Sequence, residues 1–252
     1  VKRAVVVLAV AWSACVPPRV PEPVVVPTGT TFDSALADGE AAFAKRPELE
    51  AVRRALQLFQ QAAAADVTRT EGPMSVVRVG AWLVENGPKD ERKATVETIV
   101  LAGEQCQQRA PGTAPCAYWQ AVAMGLQARE QPLQALGMLP KIIELLKKAD
   151  AAAPTLDDGG PARVLALLLV RAPGWPTGPG NADEGLELAK HAIAVAPAHP
   201  LNTIALAECL AATGETDAAK AAYAKAAELG RARGDADGAE WARQAEEARG
   251  KL

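Results

Sequence analysis

Aromatic side chains make up only 4% of this chain, and it holds just two histidines, His191 and His199. Neither histidine has a cysteine, aspartate or glutamate at metal-ligand spacing, so no familiar metal site is written here. No basic stripe appears and the formal net charge is −3, which argues against nucleic acid as a partner. β-Branched runs are nearly confined to the first 26 residues, so a sheet protein is not expected. Ser34 and Ser75 lack a nucleophile-elbow context. Gly159-Gly160-Pro161 is not a phosphate loop, because no strand precedes it and no Lys-Ser/Thr pair follows. The carboxylates of Leu156-Asp157-Asp158 and of Lys89 to Glu91 read as solvated caps. No catalytic residue, no metal and no cofactor is therefore expected, and the chain does not read as an enzyme.

What is abundant is alanine, which favours closely packed helices. Before the helices comes a different kind of segment. Lys2 and Arg3 precede the apolar run Ala4 to Trp12 and then Ser13, Ala14 and Cys15, the charged, apolar and small-residue order of an export signal over residues 1–14. The run is too short to span a bilayer, which takes about 20 apolar residues. Ser13-Ala14-Cys15 resembles the end of a bacterial lipobox, which implies acylation of Cys15 and a membrane anchor, with plain secretion as the alternative. Residues 15–30 would then form a lipidated, proline-rich tether, since its prolines deny it helix and sheet. The expected location is the periplasmic face of a bacterial membrane.

Residues 31–252 read as one helical-repeat domain. Its clearest unit is Pro200 to Arg233, two short helices joined at Gly214, with Ala207 and Ala219 where the helices touch and Leu206, Leu210 and Tyr223 supplying bulk. Gly185, Ala189 and Ala192 recur 34 positions later as Ala219, Tyr223 and Ala226. This pattern resembles the tetratricopeptide repeat. It implies an all-α, tetratricopeptide-like solenoid of helical hairpins with a C-terminal capping helix. Four further pairs precede that unit, at Ser34–Lys45 with Leu49–Ala64, Met74–Glu85 with Glu91–Arg109, a third from Pro115 and Pro132, and a fourth from Pro161 with Glu184–Ala196. Pro140 falls inside the second helix of the third pair, where a kink or short break is expected. Asp237 to Lys251 reads as the cap that a solenoid requires.

Cys106 and Cys116 flank the turn at Arg109 to Gly112 and can meet across it as a disulfide, which an exported chain permits; the alternative is two packed free thiols. Cys209 reads as a small core residue. The run from Gly159 to Pro176, with Gly159, Gly160, Arg163, Ala172, Pro173, Gly174, Trp175 and Pro176, resembles the T component of tripartite ATP-independent periplasmic (TRAP) transporters and its lipoprotein relatives. That resemblance covers about the last 95 residues. It implies association with a periplasmic solute-binding protein and passage of an apolar small ligand. The broader expectation is a membrane-tethered scaffold that binds a protein or peptide. For the site itself two arrangements stand open. In one, Arg163 and Trp175 line a cavity or groove between the third and fourth pairs, with Tyr118 and Trp119 on the other wall. In the other, Arg163 anchors the long loop through carbonyls and Trp175 packs over it as a lid.

Overall fold

The structure, a computed structural model, describes residues 24–252. The expected signal at 1–14, Cys15 and the first part of the tether lie outside the described residues. The chain folds as α1 (Phe32–Phe43), α2 (Leu49–Ala65), α3 (Glu71–Asn86), α4 (Arg92–Arg109), α5 (Ala114–Glu130), α6 (Pro132–Ala152), α7 (Gly160–Arg171), α8 (Ala182–Val195), α9 (Pro200–Ala212), α10 (Thr216–Arg233) and α11 (Ala236–Arg249). Among the described residues no helix is long and apolar enough to cross a membrane.

Local chemistry sets most of the boundaries. Thr31 and Ser34 cap α1 reciprocally, Asn181 caps α8 by accepting from the Glu184 amide, and Asp235 caps α11 by accepting from that of Gly238. Each satisfies an amide that the first helical turn leaves unpaired. Pro115, Pro132, Pro161 and Pro200 sit in the first turns of α5, α6, α7 and α9, where a missing N–H costs nothing. Pro140 produces no break, because α6 runs continuously from Pro132 to Ala152. Leu136, whose carbonyl a residue with an amide at 140 would have met, and Pro140 are both exposed, so water reaches the freed acceptor.

The helices pair as α1/α2, α3/α4, α5/α6, α7/α8 and α9/α10, with α11 packed on α10 and α9. Successive odd-numbered helices touch one another, whereas successive even-numbered ones make no comparable contact. The array therefore curves with the odd helices on its inner face. The residues of the 34-position echo are all buried: Gly185, Ala189, Ala192, Ala219 and Ala226 let backbones approach, and Tyr223 fills the space beside them.

The core follows the array as a chain of clusters. Phe43, Phe59, Val77 and Ile99 centre the first, and Tyr118, Ile142, Leu146 and Leu165 the second. Ala166, Leu186, Ala189 and Cys209 form another, and Ala207, Tyr223, Ala226, Ala242 and Ala245 seat the cap. Fully burying a side chain the size of Phe59 contributes about 1.5–3 kcal/mol, so the front of the array is held by bulk and the back by close approach of alanines. Two glycines sharpen that contrast: a Cβ on Gly238 would fall 2.4 Å from the Gly230 carbonyl oxygen, so α10 and α11 meet backbone to backbone.

Candidate functional site

The residues singled out by the sequence divide between a buried polar node, an exposed loop and an inner cleft. The node begins at the turn from α6 to α7, where Asp157, Asp158 and Gly159 have φ of 49°, 53° and 82°. Three successive left-handed residues reverse the chain tightly; for the two aspartates this is an unusual conformation that surrounding contacts must hold. Those contacts are present. Tyr118 from α5 donates its hydroxyl to the Asp157 carboxylate, and Arg163 from α7 donates to the same carboxylate oxygen at 2.7 Å. A side chain at position 160 would place its Cβ 2.5 Å from the Tyr118 hydroxyl, so only glycine lets that bond form.

Arg163 also donates to the Asn202 side-chain oxygen at 2.8 Å and to the carbonyls of Asp157 and Asp158 at 3.3 and 3.4 Å. Asn202, on α9, turns its amide toward the carbonyls of Asp158, Ala192 and Ala196, at 2.9, 2.9 and 3.1 Å. One network thus ties α5, the α6–α7 turn, α7, the end of α8 and α9. Arg163 is 5% exposed and Asn202 is fully buried, a setting in which a charge needs all its partners. Burial, followed by the Asp157 charge, pushes the Tyr118 hydroxyl well above its ordinary pKa, so it stays a donor.

These partners are internal. Arg163 and Tyr118 are brought together, with the Asp157 carboxylate between them accepting from both. Arg163 does bind carbonyls, but those of the turn before its own helix. Trp175 is no lid, being 89% exposed. Its loop closes on itself instead: Gly180 donates to the Pro173 carbonyl at 2.8 Å, Gly178 to that of Gly174 at 3.1 Å, and Asn181 to that of Leu169 at 3.0 Å. The loop is a compact, uncharged projection from 172 to 181 that presents one indole to solvent.

Trp119, adjacent in sequence to Tyr118, stands on the opposite side of this arrangement. With Leu36 and Glu40 of α1 and Met74, Ser75 and Arg78 of α3, it lines a cleft of 350 Å³ on the inner face. Inner-face charges are paired between successive odd helices: Arg78 with Glu40, Arg129 with Glu85 at 2.7 Å, and Arg171 with Glu208 at 2.6 Å. Glu71, also in the cleft wall, pairs with Arg69, and the cleft's own open surface is chiefly apolar. A second groove of 350 Å³ lies between α2, α3 and α4, with Val24, Ala63, Val67, Val76, Leu101 and Arg109 in its walls. Arg109 is engaged there, donating to the carbonyls of Ala63, Asp66 and Arg69 and so capping the end of α2.

Cys106 and Cys116 are bonded to each other, with Cα atoms 5.3 Å apart, across the turn that joins α4 to α5. Cys209 is a buried free thiol that desolvation pushes up to about 12. His199 lies with its ring 5.3 Å from that of Trp241 of α11, tilted by 44°, and burial, followed by the charge of Arg163, lowers its pKa. His191 lies 3.6 Å from Asp150. Among the described residues no three His, Cys, Asp or Glu side chains gather as a metal site would require.

Three residues of weight were not singled out from sequence. Asp157 looked like a solvated cap, and only the left-handed turn brings its part-exposed carboxylate against Tyr118 and Arg163. Asn202 offered a signal, a polar residue one turn into an apolar helix. Asp237 offered none: it accepts from Arg46 and from Trp82, residues 191 and 155 positions away.

No protein-family model matches the chain, and no curated protein matches it. Among solved structures it is similar to that of TTC0263, a thermophilic TPR protein from Thermus thermophilus, with a TM-score of 0.64 and 22% identity. The alignment covers 85% of this chain and 98% of that one. At that identity the likeness speaks to fold: the chain is an all-α, tetratricopeptide-like solenoid with a capping helix, as its repeats imply.

Proposed function

We propose that this protein is a non-catalytic scaffold that binds a protein or peptide along its inner face, and that lipid at Cys15 tethers it to the periplasmic face of a bacterial membrane. The observation that carries the first half is the cleft between α1, α3 and α5, where Leu36, Met74 and Trp119 are reachable and the nearby charges are already paired. An apolar concave surface with its ions satisfied favours apolar anchor side chains in a partner. The second half is supported by the order Lys2-Arg3, an apolar run and Ser13-Ala14-Cys15. Several acyl chains hold a protein stably at a membrane, each buried methylene contributing about 0.8 kcal/mol.

A photo-crosslinking residue placed at Met74 or Trp119 tests the binding face in cells. Adducts are expected from these positions and not from Thr98 or Gln105 beside the other groove; equal yields from both faces would sink the proposal. Cys15→Ser, followed by membrane fractionation, tests the tether. A second reading, an accessory of TRAP-type transport, is favoured by the run from Gly159 to Pro176. Copurification of a solute-binding protein supports it, and its absence from material that crosslinks another partner at Met74 counts against it.

A further inference from the structure

The two ends of the array meet at a single polar joint. Asp237, in the first turn of α11, accepts from Arg46 Nε at 3.1 Å and Nη2 at 2.9 Å, and from Trp82 Nε1 at 3.1 Å. Arg46 follows α1 and Trp82 lies on α3, so one carboxylate from the cap grips both of the first two hairpins. Each side of the joint is positioned independently of the other. Arg46 donates to the Phe43 carbonyl at 2.7 Å and lies over the Phe43 ring at 3.8 Å. Trp82 packs against the first core cluster. Across the joint, α11 is held by the backbone approach of Gly238 to Gly230 and by Ala242 and Ala245 in the last cluster.

Among the described residues, the buried core is not continuous across the joint. The core cluster on the Arg46 side draws on α1 to α5, that on the Asp237 side on α9 to α11, and they share no residue. The ion pair is also partly hydrated, its side chains being 23% and 17% exposed. Water can replace a partly hydrated ion pair when it parts, whereas parting packed helices exposes apolar area with nothing to offset it. The arch therefore gives first at Asp237. The hairpins it releases are the two whose helices α1 and α3 wall the inner cleft.

We propose that Asp237 is a clasp that holds the arch closed on itself, and that its release widens the inner face to admit the partner. The clasp rests on this geometry alone; its consequence for binding rests on the scaffold reading above.

Small-angle scattering and hydroxyl-radical footprinting of the full chain, without partner, test the clasp. In Asp237→Ala the radius of gyration is expected to shift upward and oxidation of Trp82 to accelerate, with the helical circular-dichroism signal retained. The charge-swapped double variant Arg46→Asp with Asp237→Arg is expected to return the radius toward that of the parent. An unchanged radius and unchanged Trp82 oxidation in a folded Asp237→Ala protein would overturn the clasp. Should Asp237→Ala lose helix, the swapped pair decides: compactness regained supports the clasp, and compactness not regained refutes it. Crosslinking yield at Met74 then tests the consequence. A rise in Asp237→Ala supports gating, and an opened arch with unchanged yield refutes gating alone. No adduct from Met74 in any variant refutes the scaffold reading and leaves the clasp standing.

Discussion

Arg163 and Trp175, twelve positions apart, behave in opposite ways. The guanidinium is sealed inside the protein with a carboxylate, a side-chain amide oxygen and two carbonyls, while the indole projects into water. Replacing Arg163 with Ala leaves the buried Asn202 oxygen without its donor and the part-exposed Asp157 carboxylate with one fewer, a loss of about 1–3 kcal/mol. Trp175→Ala removes no packing and is expected to change stability by less than about 0.5 kcal/mol. Urea denaturation of both variants checks this, and equal losses would contradict the assignment of Arg163 to the node and Trp175 to the surface. Arg163 was legible as a residue of consequence, since a charge one turn inside an apolar helix must find an acceptor. Its acceptor was not legible, because Asp157 reaches it only through a left-handed turn that local sequence leaves optional.

At the scale of the element, the helices were legible because their starts and stops are local chemistry. Proline in the first turn and Thr, Asn or Asp at the cap act within four residues. Pro140 departs from its expected break because tertiary placement, by turning Leu136 and Pro140 to solvent, removed the penalty. The α4–α5 connection adds a covalent constraint to a turn that Pro111 and Gly112 already favour. On the chain-entropy account, opening a loop of 10-residue separation costs about 3 kcal/mol. Reducing the protein with dithiothreitol is thus expected to lower its urea midpoint while the helical signal in native buffer persists. Cys209 should not complicate the experiment, since its buried thiol is pushed up to about 12 and alkylates only on unfolding. A midpoint indifferent to reductant would remove the disulfide from the account of stability.

For the molecule as a whole, α11 has two duties: it covers the last hairpin and it carries Asp237 back to the first two. Deleting residues 236–252 exposes the face formed by Ala207, Tyr223 and Ala226, and an uncapped solenoid end seeks another surface. Concentration-dependent self-association by analytical ultracentrifugation is the expected result, and a strictly monomeric truncated protein would show that the cap's cover is dispensable. The cap itself was legible from its apolar stripe and charged remainder. Its reach across the array was not, since Arg46 and Asp237 are ordinary charged residues in sequence and Trp82 is one more apolar residue of its helix.

Sequence by itself determined that this chain stacks helical hairpins and caps them, because helix periodicity, small contact residues and turn chemistry act over distances that one repeat contains. Only the tertiary structure decided that Asp157 and Asn202 meet at the buried Arg163 guanidinium, that Trp119 faces a cleft while Tyr118 is sealed in the core, and that the last helix closes on the first two hairpins. The first two rest on contacts between adjacent hairpins, and the last on the small rotation between hairpins summed along the array. That sum is set by packing at every interface and is encoded at no single position.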